Sequence, residues 1–424
     1  MSLDARLAQL RAQAGAGSSP APDKASLSNL RARIAQLESR GRTTGKYLST
    51  NRAAPPVEAL AKQLGGECIA EGVIRIHQRV PLAGKLGAVD LALLQDTPCL
   101  PGDPGNTLRH VYIDTETTGL SGGSGTLAFL LGMASIDSDA IDLRQWLITC
   151  FAAEAAALSA FAETLAPTDQ LVSYNGKSYD LPLLLSRFRM QGLQPAFQGL
   201  AHLDLLHPVR RLFAKRWHDC RLPSVEERLL GFRRVDDLPG SEAPAAWFRY
   251  LREGHAEALI KIIEHHRQDI LSLAVVHAAL AQAIKQPADF DVDLHALARW
   301  LCDVGDEGQA RTLLLLHAET LCDDGKRLLA QLLRRAGHWS QAVAVWETLA
   351  SAGCTESIER LAKYHEHISK DLGAAQRCCD RLPLTPSIQH RRQRLDRKIN
   401  ATRQACSKQQ QNAMQRCTFA DAAD

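Results

Sequence analysis

The sequence predicts an α/β domain with a mixed central sheet flanked by helices, followed by an all-α C-terminal region. Three observations lead to this prediction. From residue 108, β-branched or continuously apolar segments of strand length come first and then alternate with apolar-periodic segments of helix length. After about residue 288 no further strand-like segments occur. Similar segments beginning with Leu-Ala then recur at 297, 329 and 361, which is 32 residues apart each time.

The strand candidates are followed by helix candidates in an order that favours a mixed sheet. Three strands come in succession, and then a helix, a strand and a helix. The strand candidates are RHVYID, TLAFLLGMASI, DLRQWLITCF and DQLVSYN, and the helix candidates are EAAALSAFAETLA, DLPLLLSRFRMQG and the long segment that begins EALIKIIEHHRQDILSL. An earlier strand or hairpin is expected at 67–82, and we therefore assign residues 65–287 to this domain.

The C-terminal copies align at small residues. Ala310, Ala342 and Ala374 occupy one position, whereas Gly305 and Gly337 align with Ser369 in the third copy. A helix–turn–helix unit with this period is typical of a tetratricopeptide-like solenoid, which we predict for residues 288–400. Residues 401–424 are expected to form a flexible tail. Residues 1–60 are expected to be largely disordered, with one short amphipathic helix carrying Leu27, Leu30, Ile34 and Leu37.

The composition is that of an ordinary soluble protein. Hydrophobic residues make up 45% and charged residues 23%, and the net charge of +3 implies no general attraction to polyanions. No secretory leader is recognisable, and the longest apolar run is too short to cross a bilayer. The eleven cysteines contain no CxxC pair. Reduced thiols, a cytoplasmic location and no membrane contact are therefore expected.

Two acids end the first strand of the domain. Asp114 and Glu116 lie on the same face of RHVYIDTET because side chains alternate along a strand. Two neighbouring carboxylates repel each other, and their desolvation is costly unless a cation lies between them. The following GLSGGSG lets a ligand or backbone approach closely. The alternative is that these acids only cap a glycine-rich turn.

Two further acids stand in helices. Asp180 follows a strand and the Asn175–Gly176 turn, where it is either a helix N-cap or a carboxylate facing a shared ion. Asp269 lies in the middle of an aliphatic helix, four residues after His265 and on the same face. A buried aspartate needs a partner or a metal. An arginine partner is the alternative to a metal at this position.

These motifs together resemble a known superfamily. IDTETTG, YNGKSYDLPLL and HHRQDILSL, in this order, are similar to the three exonuclease motifs of the DEDD superfamily, which has a ribonuclease H-like fold. More narrowly, IDTETTGLSGGSGTLAFLLG, HLDLLHPVRRLF and the neighbouring motifs resemble the YprB-type ribonuclease H-like family, which often carries tetratricopeptide-like repeats. The resemblance covers about residues 65–280.

The resemblance implies a metal-dependent nuclease. Asp114, Glu116, Asp180 and Asp269 would be its metal ligands and would hold two divalent cations, Mg²⁺ or Mn²⁺. Hydrolysis of DNA or RNA from a 3′ end, on a single strand or a frayed end, would follow. His265 takes the fifth catalytic position: its spacing to Asp269 is that of the superfamily's tyrosine branch, but a histidine fills it, and His266 competes for the role.

Other residues near the motifs are expected to contact nucleic acid. These are Thr115, Thr117, Asn175, Lys177, Tyr179, Arg210 and Arg211. His202 and Asp204 are given a supporting role beside the main site. Alternatively, His202, Asp204 and His207 form a metallophosphohydrolase centre. A further alternative is a nucleic-acid-binding or scaffold protein with little or no turnover, and a protein partner is expected on the concave surface of the repeats.

Overall fold

A computed structural model of the chain describes residues 57–96, 99–103, 108–119 and 125–420, with the backbone alone for 411–420. The amphipathic helix predicted around Leu30, and almost all of the segment 1–60 that is expected to be disordered, lie outside the described residues. The first described element is a short helix, α1 (Val57–Gln63), whose Leu60 and Ala61 are buried.

A seven-stranded mixed sheet forms the centre of the α/β domain, as the sequence predicted. Its order is β1-β2-β7-β6-β5-β8-β9, and β5 pairs in parallel with β8, as β8 does with β9. The other pairings in the sheet are antiparallel. The strands are β1 (Glu67–Ala70), β2 (Val73–Pro81), β5 (Arg109–Thr117), β6 (Ala128–Ile136), β7 (Ala140–Ile148), β8 (Asp169–Ser173) and β9 (Ala201–Asp204), and β3 (Lys85–Leu86) and β4 (Val89–Asp90) form a separate small ribbon.

Helices cover both faces of this sheet. They are α2 (Glu154–Ala162), α3 (Asp180–Met190), α4 (Leu206–Phe213), α5 (Leu222–Val225) continued by a π-helical turn (Glu226–Leu230), α6 (Ala243–Glu253) and α7 (Glu257–Lys285). Short 3₁₀ turns occur at Leu91–Leu94, Phe151–Ala153, Gly240–Glu242, Pro287–Phe290 and Ala318–Thr320.

The strand β5 contributes alternate residues to two cores. Tyr112 packs in one apolar cluster, and Val111 and Ile113 pack in the other, on the opposite face of the sheet. The 29-residue helix α7 belongs to both clusters, since Ile262 and Ile263 pack in the second and Ile270 packs in the first. This helix therefore crosses the sheet beside the acidic end of β5.

The C-terminal region consists of helices, as predicted. The helices are α8 (Leu294–Asp303), α9 (Glu307–Leu316), α10 (Asp323–Arg335), α11 (Trp339–Ser351), α12 (Thr355–His367), α13 (Leu372–Asp380) and α14 (Pro386–Ala420). Gly305 and Gly337, which align in the sequence repeats, both have positive φ between paired helices. In the third copy Lys370 takes the positive φ. The assignment of these pairs as tetratricopeptide-like remains a prediction.

The last helix is longer than expected. It continues to Ala420 and so includes most of the segment 401–424 for which a flexible tail was predicted. Alanine, glutamine, lysine and arginine dominate that segment, and all four are good helix formers.

One apolar cluster joins the sheet domain to the helical region. It contains Val209 and Leu212 of α4 together with Leu297 and Leu301 of α8. At the surface of this contact, Arg211 Nη2 lies 2.5 Å from Asp303 Oδ2. Along the described part of the chain, every helix is too short or too polar to span a bilayer.

Candidate active site

Four acidic side chains from three separate elements meet at one end of β5. Asp114 and Glu116 come from β5, Asp180 is the first residue of α3, and Asp269 lies in the middle of α7. Asp180 is not the N-cap, because Tyr179 occupies that position and no side chain caps the helix. The four sequence-predicted acids therefore lie together, each on the type of element that was expected.

Burial and mutual repulsion disfavour the charged forms of the two acids of β5. Burial, and then the charges of Asp269 and Asp180, hold the pKa of Asp114 well above its usual range. Burial likewise raises the pKa of Glu116 to about 8, although the nearby His265 opposes the rise. A cation bound beside these two carboxylates would offset both effects and favour their charged forms.

Asp180 is held by a residue of the neighbouring strand. Thr115 Oγ1 donates a hydrogen bond of 2.5 Å to Asp180 Oδ1. This bond lowers the pKa of Asp180, but burial is stronger and raises it to about 6. Thr115, which was expected to contact nucleic acid, therefore uses its hydroxyl group to position a predicted metal ligand.

Arg234 contacts Asp269. An arginine partner was the alternative to a metal that the sequence left open for this aspartate. Arg234 Nη2 donates to Asp269 Oδ1, and His265 Nε2 lies 3.2 Å from Asp269 Oδ2. Burial alone would raise the pKa of Asp269, but His265 and Arg234 outweigh burial and lower it. Arg234 is separated from Asp269 by 35 residues, so no local spacing in the sequence pointed to this pair.

Arg234 belongs to a network that sequence analysis missed. Its Nη2 and Nε lie 2.7 Å and 2.8 Å from the two carboxylate oxygens of Glu226, whose side chain is 1% exposed. Asp237 Oδ1 lies 2.7 Å from His265 Nδ1. Burial by itself would lower the pKa of His265, but hydrogen bonds to Asp269 and Asp237 raise it to about 9. The contacts with Asp269 and Asp237 therefore favour the protonated form of His265.

The neighbouring histidine has a different role. His266 is fully buried, and its Nδ1 lies 2.9 Å from Gln145 Nε2, which is an amide donor. The proton of the neutral ring is then on Nε2, which lies 3.1 Å from the backbone oxygen of Asp114. Burial lowers the pKa of His266 to about 4. His266 thus anchors the β5 backbone, whereas His265 faces the acids.

Asp204 and His202 contact the segment that leads from β8 to Asp180. Asp204 accepts hydrogen bonds from the backbone N–H groups of Asn175, Lys177 and Leu206, at 2.7, 3.1 and 3.1 Å. His202 Nε2 lies 2.8 Å from Ser173 Oγ. These contacts hold the turn that leads from β8 to Asp180, and the supporting role of the two residues in the site stays a prediction.

Several residues expected to contact nucleic acid lie around the same turn. Lys177 and Tyr179 are exposed, and Tyr179 keeps 61% of its surface. Asn175, with a φ of 66°, and Arg210 line a cavity of about 550 Å³.

Arg211 and Thr117 were also expected to contact nucleic acid, but their side chains bind other groups of the protein. Arg211 points away from this cavity, pairs with Asp303 and lies over the ring of Trp300. Thr117 donates to the backbone oxygen of Gly119.

The ligand atoms suit a hard divalent cation. Within the described residues, Glu116, His265 and Asp269 form the one group of three or more histidine, cysteine or acidic side chains whose ligand atoms all lie within 4.8 Å of one another. His202, Asp204 and His207 form no such group, so the alternative centre has no geometric support. Carboxylates whose pKa values are raised by burial and then by mutual repulsion fit the binding of Mg²⁺ or Mn²⁺.

Comparison with known proteins agrees with this architecture. Residues 111–281, which include all five predicted catalytic residues, match the model RNase_H_2 of the RNase_H superfamily. The chain is 31% identical over 275 residues to the uncharacterized protein YprB of Bacillus subtilis (strain 168), and this alignment covers 62% of the chain and 66% of YprB.

Two solved structures are also similar. The structure of NrnC from Brucella melitensis bound to pGG is 17% identical, with 52% of this chain and 90% of that chain covered and a TM-score of 0.31. The family B DNA polymerase of the hyperthermophilic archaeon Pyrobaculum calidifontis is 14% identical, with 60% and 35% covered and a TM-score of 0.33. From the family match, residues 111–281 form a domain of the RNase_H superfamily, in a chain that is similar to YprB.

Proposed function

We propose that the protein is a divalent-metal-dependent nuclease that hydrolyses phosphodiester bonds of DNA or RNA as a 3′–5′ exonuclease on single strands or frayed ends. The observation that carries the proposal is the meeting of Asp114, Glu116, Asp180 and Asp269, from three distant segments, in a buried site within the RNase_H superfamily domain. Their shared burial and repulsion have no structural benefit without a cation.

The four acids would hold two divalent cations. Asp114 pairs with Gly132 of β6 and is fixed by the hydrogen bond from His266 to its backbone oxygen, and Asp180 is fixed by Thr115. Divalent cations bound there would supply an activated water and stabilise the leaving oxygen of the phosphodiester. The substrate strand would reach them past the turn that carries Lys177 and Tyr179.

His265 would move the proton of the attacking water. Its Nδ1 is held by Asp237 and its Nε2 faces Asp269, so the ring orientation is defined from both sides. As an imidazolium ion it cannot accept a proton, and it must lose one before it acts as a base. Neutralisation of the surrounding acids by bound cations would remove the cause of its raised pKa.

Exposed groups near the acids would bind the strand. Tyr179 offers an exposed ring directly before Asp180, where a base could stack on it. Lys177 and Arg210 would contact phosphates on either side of the turn.

The test is a degradation assay with 5′-labelled and 3′-labelled single-stranded DNA and RNA, with Mn²⁺, with Mg²⁺ and with a chelator. A 3′–5′ exonuclease shortens the 5′-labelled strand stepwise and releases labelled mononucleotide from the 3′-labelled strand. Asp114→Asn is expected to reduce the rate by about 100-fold or more, since it removes a charged metal ligand. Chelation is expected to stop the reaction.

Asp139→Asn is the matched control, because Asp139 is an exposed acid in the turn between β6 and β7, at the opposite end of the sheet. Its rate should equal that of the wild type. Failure of the folded wild type to cleave either nucleic acid with Mn²⁺ would refute the proposal.

A second candidate function is nucleic-acid binding with little turnover. The contact of Arg234 with Asp269 and the raised pKa of His265 favour it, because one ligand oxygen is engaged and the protonated imidazole that the raised pKa favours cannot act as a base. Binding of an oligonucleotide with Mn²⁺ but without product, at wild-type stability, would support this second function.

A further inference from the structure

Arg234 is a buried cation inside the candidate metal site, and neither the predicted catalytic set nor the proposed reaction includes it. Its side chain is 8% exposed. It lies in the segment between the π-helical turn Glu226–Leu230 and the 3₁₀ turn Gly240–Glu242. This segment lies against the acids, since a Cβ atom added to Gly240 would be 3.8 Å from Glu116 Oε1 and 3.4 Å from His265 Nε2.

The side chain of Glu226 holds the guanidinium group of Arg234 in a fixed orientation. Both oxygens of Glu226 accept hydrogen bonds from it, in the fork geometry that arginine provides and lysine does not. Glu226 is itself buried. This anchor leaves the guanidinium in one orientation, with Nη2 also donating to Asp269 Oδ1 and Nη1 lying 3.3 Å from Asp237 Oδ2.

The two oxygens of Asp269 therefore have different roles. Oδ1 accepts from Arg234, whereas Oδ2 faces His265 on the side of Glu116. A metal ion held by Glu116 and Asp269 would share Asp269 with a fixed positive charge. Like charges at such a distance repel strongly in a buried environment.

We propose that Arg234 is a positioning residue that orients Asp269, and through Asp269 also His265, and that as a resident cation it weakens the affinity of the site for divalent cations. The same guanidinium group thus both lowers the affinity for divalent cations and orients the side chain of Asp269. Its effect on turnover rests on the proposed nuclease function, but its effect on metal binding does not.

Calorimetric titration of the full chain with MnCl₂, without substrate, tests the charge effect. R234Q is expected to bind Mn²⁺ about tenfold more tightly than the wild type, because a buried positive charge is removed. R233Q is the matched control: Arg233 is the adjacent residue, points outward and pairs with the exposed Glu227, so its affinity should be unchanged. Equal or weaker Mn²⁺ binding by R234Q would overturn the proposal.

A second variant covers the case in which R234Q does not fold. E226Q removes the negative partner and leaves the charge of Arg234 less compensated, so Mn²⁺ should bind more weakly than to the wild type. Equal or tighter binding by E226Q would contradict the resident-cation role.

R234K separates orientation from charge. It keeps the positive charge but cannot reproduce the fork to Glu226, so Mn²⁺ affinity is expected within about threefold of the wild type while kcat falls. Full recovery of kcat in R234K would overturn the positioning role. If the wild type shows no hydrolysis, the proposed function fails, while the Mn²⁺ titrations still decide the role of Arg234 in metal binding.

Discussion

At the scale of single residues, Asp204 shows how a buried carboxylate supports a site without facing it. Its oxygens accept two backbone N–H groups of the turn that precedes Asp180 and a third from Leu206 at the start of α4. An asparagine there has one acceptor oxygen instead of two and adds two donors, so buried N–H groups would lose partners.

Asp204→Asn is therefore expected to lower the free energy of unfolding by about 1–3 kcal/mol, measured by urea denaturation. Nuclease activity should also fall, because the turn that precedes Asp180 would be less ordered. Asp219→Asn is the control, because Asp219 is not fully buried and its contacts, which include the N–H of Arg221 at 2.9 Å, are made to residues close in sequence. Wild-type stability with lost activity in Asp204→Asn would instead place Asp204 among the reacting groups.

Spacing in the sequence predicted the acids but not the residues that hold them. Alternation on β5 and the helical spacing of His265 and Asp269 follow from local geometry and are readable from sequence. Arg233 and Arg234 are adjacent and chemically identical, and only the path of the chain after the π-helical turn decides which one is buried. His265 and His266 are likewise adjacent on α7, but His265 contacts Asp269 whereas His266 is buried against Gln145.

At the scale of secondary-structure elements, β6 and α7 approach closely at Gly132. This residue pairs with Asp114 across the sheet. A Cβ atom there would lie 2.1 Å from Ile270 Cδ1 and 2.3 Å from His266 Cε1. The helix that carries Asp269 therefore packs at its observed distance only because position 132 has no side chain.

Gly132→Ala is expected to destabilise the protein by about 1–3 kcal/mol, since the helix or its side chains must shift to admit the methyl group. The shift should also lower activity by moving His266 away from the backbone of Asp114. Thermal unfolding and the nuclease assay measure both effects. Gly84→Ala, where the nearest atom is 4.0 Å away, should be close to neutral and controls for the substitution itself.

The docking of α14 on α12 depends on one buried acid. Arg391, Arg394 and Lys398 of α14 all contact Glu366, whose side chain is fully buried. The hydrogen bond from Arg394 and that from Lys398 lower the pKa of Glu366 to about 2, against the opposing effect of burial. Since its pKa is lowered in the folded state, its contribution to stability is complete above the unfolded value near 4.5 and is lost as the pH falls towards 2.

Between pH 6 and pH 3 the wild type is therefore expected to lose about 1–2 kcal/mol more stability than Glu366→Gln. Thermal midpoints followed by circular dichroism at each pH measure the difference. Parallel pH profiles for the two proteins would show that the ion cluster contributes nothing to docking.

The elements themselves were largely readable from sequence. Strands of alternating or continuous apolar residues appear at the predicted segments, and the shift to helices after residue 288 is confirmed. The order of the strands was not predicted, because pairing between β2 and β7 joins segments about 60 residues apart and depends on tertiary packing.

At the scale of the whole molecule, the boundary drawn near residue 288 crosses a continuous apolar core. Val209 and Leu212 pack in the same cluster as Leu297, Leu301 and residues further along the helical region. A chain that ended at residue 287 would expose to water the apolar side chains that α4 contributes to this cluster.

The 1–287 fragment is accordingly expected to have a lower thermal midpoint than the full chain and to bind a hydrophobic dye such as ANS. The full chain should unfold without a separate early transition of the helical region. Two well-separated calorimetric transitions in the full chain, with an unchanged midpoint for the fragment, would indicate independent units.

The parallel pairing of β5 with β8, and the position of α7 against β5, have a consequence for the folding of the chain. The acids lie at positions 114, 116, 180 and 269, so the loops that must close between them span tens of residues up to about 150. Contacts of such long sequence separation form slowly and late. Cation binding is therefore expected to lag behind the appearance of helical signal during refolding, which makes Mn²⁺ a reporter of the completed fold.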